Sequence, residues 1–99
     1  MMIKVEVQYF TGCPNSQKMI DNAKTAIGQL NFEIEYTETL VESVESAKQT
    51  RFRGSPTLLI NGFDFENLPE PNEPALSCRY YPSGIPTVDQ IKIFLENSM

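Results

Sequence analysis

The sequence predicts a small α/β domain with a mixed four-stranded sheet and the element order β-α-β-α-β-β-α. Apolar residues alternate with polar ones at the start of the chain, which is typical of a strand. Three later segments carry apolar residues at helical spacing, and Asn61-Gly62 separates two short apolar runs. The chain has 99 residues, of which 40% are hydrophobic, so we expect one core and a single domain over residues 1–99.

The first half of the chain predicts two strands and one helix between them. Residues 3–9 form the first strand, and Thr11-Gly12-Cys13-Pro14 ends it. A helix is expected from Pro14 onward, because the following residues have helical spacing: Met19, Ile20, Ala23, Ala26, Ile27 and Leu30. The alternation over residues 32–36 predicts a second strand. A helix between two strands makes those strands parallel.

The second half predicts a helix, a hairpin and a last helix. Thr39-Leu40-Val41-Glu42 has the capping-box pattern and is expected to open the second helix. Thr57-Leu58-Leu59-Ile60 fits a buried strand, and Asn61-Gly62 predicts a tight turn into a fourth strand over 63–65. Five prolines interrupt residues 66–86, which predicts an irregular loop inserted before the last helix. A second capping box, Thr87-Val88-Asp89-Gln90, opens that helix.

Composition excludes several classes of function. The formal charge is −5 and the eight Lys and Arg residues are scattered, so we expect no binding of nucleic acid. The absence of histidine excludes a Cys-His pair and an imidazole metal site. We therefore predict no metal and no cofactor. The N-terminus lacks a basic region followed by an apolar block, and no apolar stretch could span a bilayer, so we expect a cytoplasmic protein without membrane contact.

Cys13 is the candidate nucleophile. A strand, a tight turn and then Cys13-Pro14 place the sulfur at the predicted start of a helix, with Pro14 at the first helical position. Unpaired backbone N–H groups and the positive end of the helix dipole stabilise a thiolate there. Ser16 would face the same turn and donate a hydrogen bond to the sulfur. Cys13 as a small buried hydrophobe, and Ser16 as a simple capping residue, remain the alternatives.

A second motif lies some forty residues later, in Gly54-Ser55-Pro56-Thr57. A proline just before a buried strand fits either a cis or a trans peptide bond, and the spacing does not decide between them. Together, the segment from Tyr9 to Ser16 and this second motif resemble the thioredoxin/glutaredoxin superfamily. The element order also matches, so the resemblance covers nearly the whole chain and implies a thioredoxin-like fold.

The resemblance implies roles for individual residues. Cys13 would be the attacking cysteine, Ser16 would replace the usual second cysteine, and Pro56 would be a cis-proline that packs against the motif. Substrate would be bound at Pro14, Ser55, Pro56 and Thr57, partly by backbone pairing. Because Ser16 cannot resolve a mixed disulfide, the motif itself has a single thiol. An iron–sulfur cluster is disfavoured, since two cysteines without histidine cannot complete its ligands.

Cys78 is the candidate resolving cysteine. In the fold that the resemblance implies, the loop after Phe65 begins on the Cys13 face, and it carries Ser77-Cys78-Arg79-Tyr80. Arg79 would add positive charge that favours a thiolate and would contact substrate. In the alternative interpretation Cys78 packs under the loop and Arg79 is solvated.

Three functions follow as hypotheses. The first is thiol–disulfide exchange through Cys13, resolved by Cys78, with protein or small-molecule thiols and disulfides as partners. The second is binding or detoxification of a soft metal such as mercury or copper by the two thiolates. The chain also resembles small bacterial thioredoxin-like proteins with a similar Cys-Pro-x-Ser motif. Some of these carry an alkylmercury lyase label, although the organomercurial lyases proper have a different fold. The third is a redox-inactive module that pairs with a peptide at the Pro56 edge. The sequence gives no indication of oligomeric state.

Overall fold

The computed structural model describes residues 2–98 and has the element order that the sequence predicts. Its seven elements are β1 (Ile3–Tyr9), α1 (Ser16–Gly28), β2 (Ile34–Leu40), α2 (Val44–Thr50), β3 (Thr57–Ile60), β4 (Phe63–Asp64) and α3 (Val88–Glu96). The prediction of an α/β fold with a mixed four-stranded sheet is therefore confirmed. Residues 66–86 contain none of these helices or strands, which agrees with the predicted irregular insertion.

The sheet has the strand order β2-β1-β3-β4. β1 runs parallel to β2 and antiparallel to β3, and β3 pairs with β4 as a hairpin. Gln8, near the end of β1, lies opposite Thr57 at the start of β3. The loop after β1, which carries Cys13, therefore begins beside the segment that leads into β3.

The hairpin turn has the conformation that its sequence indicates. Asn61 and Gly62 both have positive φ, at 52° and 85°. A two-residue turn with this backbone matches the right-handed twist of the strands it joins. The turn is also fixed to the central strand, because Lys4 donates its N–H to the Asn61 side chain at 2.9 Å.

The main core lies on one face of the sheet, between the strands and the packed pair α1 and α3. Its buried residues are Ile3, Val5, Val7, Met19, Ile20, Ala23, Ala26, Leu58, Ile60, Tyr81, Ile85, Ile91 and Leu95. A smaller cluster consists of Val41, Ala47 and Phe52, with Phe10 and Leu76 packed against it. That cluster joins α2 to the loop after β1. No helix within residues 2–98 has the length and apolar character that crossing a membrane requires.

The predicted start of the second helix is wrong. β2 continues to Leu40, which lies opposite Tyr9, so Thr39 and Leu40 belong to the sheet. The parallel ladder with β1 extends to the last residue of both strands, and its backbone hydrogen bonds outweigh the local capping pattern. The capping box that forms is instead Ser43 with Ser46, and α2 follows it.

The predicted start of the first helix is also corrected. Asn15 is the N-cap and α1 begins at Ser16, so Pro14 lies before the helix and Cys13 two residues before the cap. The Ser16 N–H closes a turn on the Cys13 carbonyl three residues back, at 3.3 Å, whereas the Met19 N–H bonds to the carbonyl of the N-cap Asn15 four residues back, at 3.0 Å. Cys13 therefore precedes the helix by a short turn rather than capping it.

Candidate functional site

Two loops meet at the end of the sheet where β1 ends and β3 begins. The Phe10 N–H donates to the Ser55 hydroxyl at 2.8 Å, which ties the loop before Cys13 to the residue before Pro56. The Ser55–Pro56 peptide bond is cis, as the resemblance implies. Ser55, Pro56 and Thr57 are all buried, so this part of the site is enclosed.

Cys13 and Cys78 form a disulfide that joins the loop after β1 to the irregular segment 66–86. Their Cα atoms are 5.6 Å apart, although 65 residues separate them along the chain. The two residues differ in environment. Cys13 is only 7% exposed, whereas Cys78 is an exposed residue.

The backbone around Cys78 is held by Ser55. The Ser55 N–H donates to the Ser77 carbonyl at 2.8 Å, and the Arg79 N–H donates to the Ser55 carbonyl at 2.8 Å. These two bonds make an isolated parallel bridge between Ser55 and Cys78. Residues 77–79, called the Cys78 segment below, therefore lie against Ser55 like one step of an additional strand.

A buried ion pair anchors the same segment. The Arg79 guanidinium donates to both carboxylate oxygens of Asp64, at 2.6 and 3.0 Å. The two side chains are 7% and 2% exposed. Arg79 also donates to the Thr57 hydroxyl at 3.3 Å and lies over the Tyr81 ring at 4.8 Å from its centroid.

The charge state of this pair follows from two opposing effects. Burial by itself would raise the pKa of the Asp64 carboxyl. Hydrogen bonds from the Arg79 guanidinium and from the backbone N–H groups of Leu68 and Glu66 outweigh burial and hold that pKa below its usual value. The same pair keeps the pKa of Arg79 raised, against the effect of its burial. Both groups are therefore charged at neutral pH.

Asp64 and Tyr81 are residues that the sequence analysis missed. Asp64 also accepts from the N–H groups of Glu66 and Leu68, each at 2.9 Å, and so shapes the start of the irregular segment. The Tyr81 hydroxyl donates to the Pro56 carbonyl, and its ring belongs to the main core. Burial raises the pKa of Tyr81, so it stays protonated as a donor. The only signal for Asp64 was its place as a charged residue between Phe63 and Phe65 in the predicted fourth strand.

Ser16 has a different partner from the one predicted. Among the described residues, its hydroxyl pairs with the Ser55 hydroxyl at 2.8 Å, both groups being buried, and not with the Cys13 sulfur. The same Ser55 hydroxyl also accepts a hydrogen bond from the Phe10 N–H. Ser16 thus links α1 to Ser55. Of the other predicted substrate-binding residues, Pro14 is exposed, whereas Pro56 and Thr57 lie in the enclosed part.

Gly54 allows the Cys78 segment to approach this closely. Its φ is +102°, and a Cβ added there would lie 2.9 Å from the Cβ of Arg79. Glycine is the residue that adopts such a backbone without steric cost. A side chain at position 54 would therefore push Arg79, and Cys78 beside it, away from Ser55.

Two separate grooves flank the disulfide. One, of about 210 Å³, borders Cys13 and is lined by the end of β1 and the start of α1. The other, of about 470 Å³, borders Cys78, and its lining includes Arg53, Leu68 and Tyr80. Each cysteine of the disulfide therefore borders a surface groove of its own.

The sulfur atoms of Cys13 and Cys78 are the candidate reactive groups of the site. Within residues 2–98 there is no group of three or more His, Cys, Asp or Glu side chains placed to hold a metal ion. Comparisons with protein-family models, with curated proteins and with solved structures find no match to this chain. The chemistry of the chain's own residues is therefore the basis for assigning a function.

Proposed function

We propose that this protein is a thiol–disulfide oxidoreductase of thioredoxin type, and that Cys13 and Cys78 are its redox couple. The observation that carries the proposal is the disulfide between them, placed at the end of the sheet and bordered by two open grooves. Formation and opening of such a bond by thiolate attack is the chemistry of this class of enzyme. Protein or small-molecule thiols and disulfides would be the substrates.

The contacts around Cys78 support a reversible bond rather than a structural crosslink. The Cys78 segment is already held by two backbone bonds to Ser55 and by the buried Arg79–Asp64 pair. Opening the disulfide removes none of these contacts, so the two thiols would stay close together. In the reducing compartment that the sequence predicts, disulfides are usually catalytic or redox-sensing.

The position of Cys13 supports its action as a nucleophile toward Cys78. It lies two residues before the N-cap of α1, close to the positive end of the helix dipole. The first turn of α1 carries no acidic residue that would oppose a negative sulfur. The positive end of a helix dipole favours a negatively charged group beside it, and a nearby carboxylate would oppose that effect.

The arrangement of the sheet supports the resemblance to thioredoxins. The element order, the parallel pairing of β1 with β2, the hairpin of β3 and β4 and the position of Cys13 before the first helix agree with what that resemblance implies. Position 16 is a serine and carries no sulfur, so the second sulfur of the couple has to come from elsewhere in the chain. Cys78 supplies it.

The test is stoichiometric exchange with glutathione disulfide. The fully reduced protein should convert one glutathione disulfide into two glutathione molecules and recover the Cys13–Cys78 bond, as measured by intact mass and thiol titration. A variant that keeps one of the two cysteines, Cys13→Ser or Cys78→Ser, has no second thiol to close the ring and should give at most a glutathione adduct. A reduced protein that forms neither an adduct nor an internal disulfide would contradict the proposal.

Soft-metal binding is the second candidate, because the disulfide shows that the two sulfurs can come into contact. Reduced, they would offer a pair of thiolates of the kind that mercury and copper(I) prefer. Binding of one mercuric ion per chain, lost in Cys78→Ser, together with failure of the glutathione exchange would favour this function. The peptide-binding module has less support, because the Ser55 backbone groups that a peptide would need are bonded to Ser77 and Arg79.

A further inference from the structure

We infer that Cys78, and not Cys13, is the sulfur that forms the mixed disulfide with substrate, and that the groove beside Cys78 receives the substrate thiol. The inference rests on the proposed oxidoreductase function and assigns the order of its steps. The arrangement implied by the sequence is the reverse, with Cys13 attacking substrate and Cys78 resolving.

Access is the first reason. Cys13 is 7% exposed, whereas Cys78 is exposed and borders the larger groove, about 470 Å³ against about 210 Å³. Neither groove is bordered by both cysteines. A thiol that enters the larger groove therefore meets Cys78, and the rate of thiol–disulfide exchange depends on which sulfur can be reached.

The leaving group is the second reason. When an external thiolate attacks Cys78, the sulfur expelled is that of Cys13, which lies near the N-terminus of α1 with no acidic residue in the first turn. A thiol with a lowered pKa leaves faster. Attack at Cys13 would instead expel Cys78, whose neighbour Arg79 is already paired with Asp64.

The anchoring of Cys78 is the third reason. The Arg79–Asp64 pair and the Ser55 backbone bonds hold the Cys78 segment in place while its sulfur carries the substrate. In the oxidised protein Cys13 is bonded to that sulfur, and β1 and α1 on either side of Cys13 fix its place in the chain. A mixed disulfide on Cys78 is thus positioned for attack by Cys13.

Reduction of the Cys13–Cys78 bond by a dithiol substrate takes two exchange steps. A substrate thiolate attacks Cys78, a bond between the two sulfurs forms, and the Cys13–Cys78 bond breaks with its electron pair on Cys13. A second thiolate of the same substrate molecule then attacks the substrate sulfur of the mixed disulfide. This closes the substrate disulfide and releases Cys78 as a thiolate. The two protein thiolates take up the two protons that the substrate thiols lost, and two electrons pass from substrate to protein. In the opposite direction Cys78 attacks a substrate disulfide and Cys13 then attacks Cys78.

The direct test locates the mixed disulfide in the wild-type protein. Oxidised protein is mixed with glutathione, quenched within the first turnover by acid and a thiol-blocking reagent, and mapped by peptide mass spectrometry. We expect glutathione on Cys78 and the blocking group on Cys13 in at least about 90% of the trapped adduct. Glutathione mainly on Cys13 would overturn the inference and leave the oxidoreductase function standing. A disulfide that glutathione does not open at all would overturn both.

Two matched variants test the groove. Ser77→Phe narrows the groove beside Cys78, and Gln17→Phe places the same side chain at an exposed position beside Cys13. We expect Ser77→Phe to slow the opening of the disulfide by glutathione about tenfold, while Gln17→Phe stays within about twofold of wild type. Slowing by Gln17→Phe alone would show entry at Cys13 and would contradict the inference.

Discussion

The two cysteines of the disulfide lie in regions that are built in different ways. Cys13 follows a strand and precedes a helix, both of which are fixed by apolar packing in the main core. Cys78 lies in a segment without regular structure apart from one bridge to Ser55. That segment is positioned by a buried ion pair, by backbone bonds and by the Tyr81 hydroxyl. A few directed polar contacts thus place the second sulfur, whereas periodic apolar packing places the first.

The largest effect is expected where the polar anchor is broken. Asp64→Asn leaves the Arg79 guanidinium buried without its counter-charge, and loss of one partner of a buried pair costs about 3–5 kcal/mol. The chain offers a matched exposed pair, Arg51 with Glu70, whose side chains are 53% and 52% exposed. Arg51→Met should cost no more than about 1 kcal/mol. Urea unfolding of the oxidised variants measures both values.

The pH dependence of the free energy of unfolding tests the Asp64–Arg79 pair in a second way. The pKa of Asp64 is lower in the folded protein than its unfolded value of about 3.9, so the pair stabilises the fold fully above that value. Its contribution is lost as the pH falls through the folded pKa. Wild type should therefore lose more stability between pH 6 and pH 3 than Asp64→Asn does. Equal losses in the two proteins, or equal costs of Asp64→Asn and Arg51→Met, would show that the anchor contributes little.

A smaller effect is expected from crowding the Cys78 segment. Gly54 and Gly12 have nearly the same φ, +102° and +100°, so alanine brings a similar backbone strain of about 1–3 kcal/mol at both positions. At position 54 the new Cβ would contact the Arg79 side chain. At position 12 no atom lies within 4 Å of the new Cβ. We expect Gly54→Ala to shift the equilibrium with glutathione toward the open dithiol about tenfold more than Gly12→Ala.

That difference isolates the contact with Arg79 from the strain of the glycine backbone itself. Quantifying the oxidised fraction of each variant in a series of glutathione buffers gives the comparison directly. Equal shifts in the two alanine variants would mean that the close approach of Arg79 to Gly54 does not hold Cys78 near Cys13.

The sequence predicts the apolar framework well, for a physical reason. β1, the hairpin and α3 each have a local signal that agrees with their packing: alternation, an Asn-Gly turn and a capping box. Thr39 shows the limit of such signals. Its capping pattern is local, but β2 continues because a partner strand far along the chain supplies the hydrogen bonds.

The candidate site is predicted only in part, because half of it depends on long-range contacts. Cys13, Ser55 and Pro56 belong to short motifs that can be found in the sequence. Asp64 belongs to no such motif, because its role depends on the hydrogen bond from Arg79, which lies fifteen residues later in the chain. Ser16 was expected to donate a hydrogen bond to the Cys13 sulfur. In the folded chain its hydroxyl pairs with the Ser55 hydroxyl, which lies 39 residues away in the sequence.

A redox titration determines whether Cys13 and Cys78 form a reversible couple. The protein is equilibrated in thiol–disulfide buffers of graded potential, trapped with a thiol-blocking reagent, and its oxidised fraction is measured by mass. We predict a two-electron transition with a midpoint between about −270 and −120 mV, the range of thioredoxin-type oxidoreductases. A bond that stays closed below about −300 mV, as structural disulfides do, would contradict the claim.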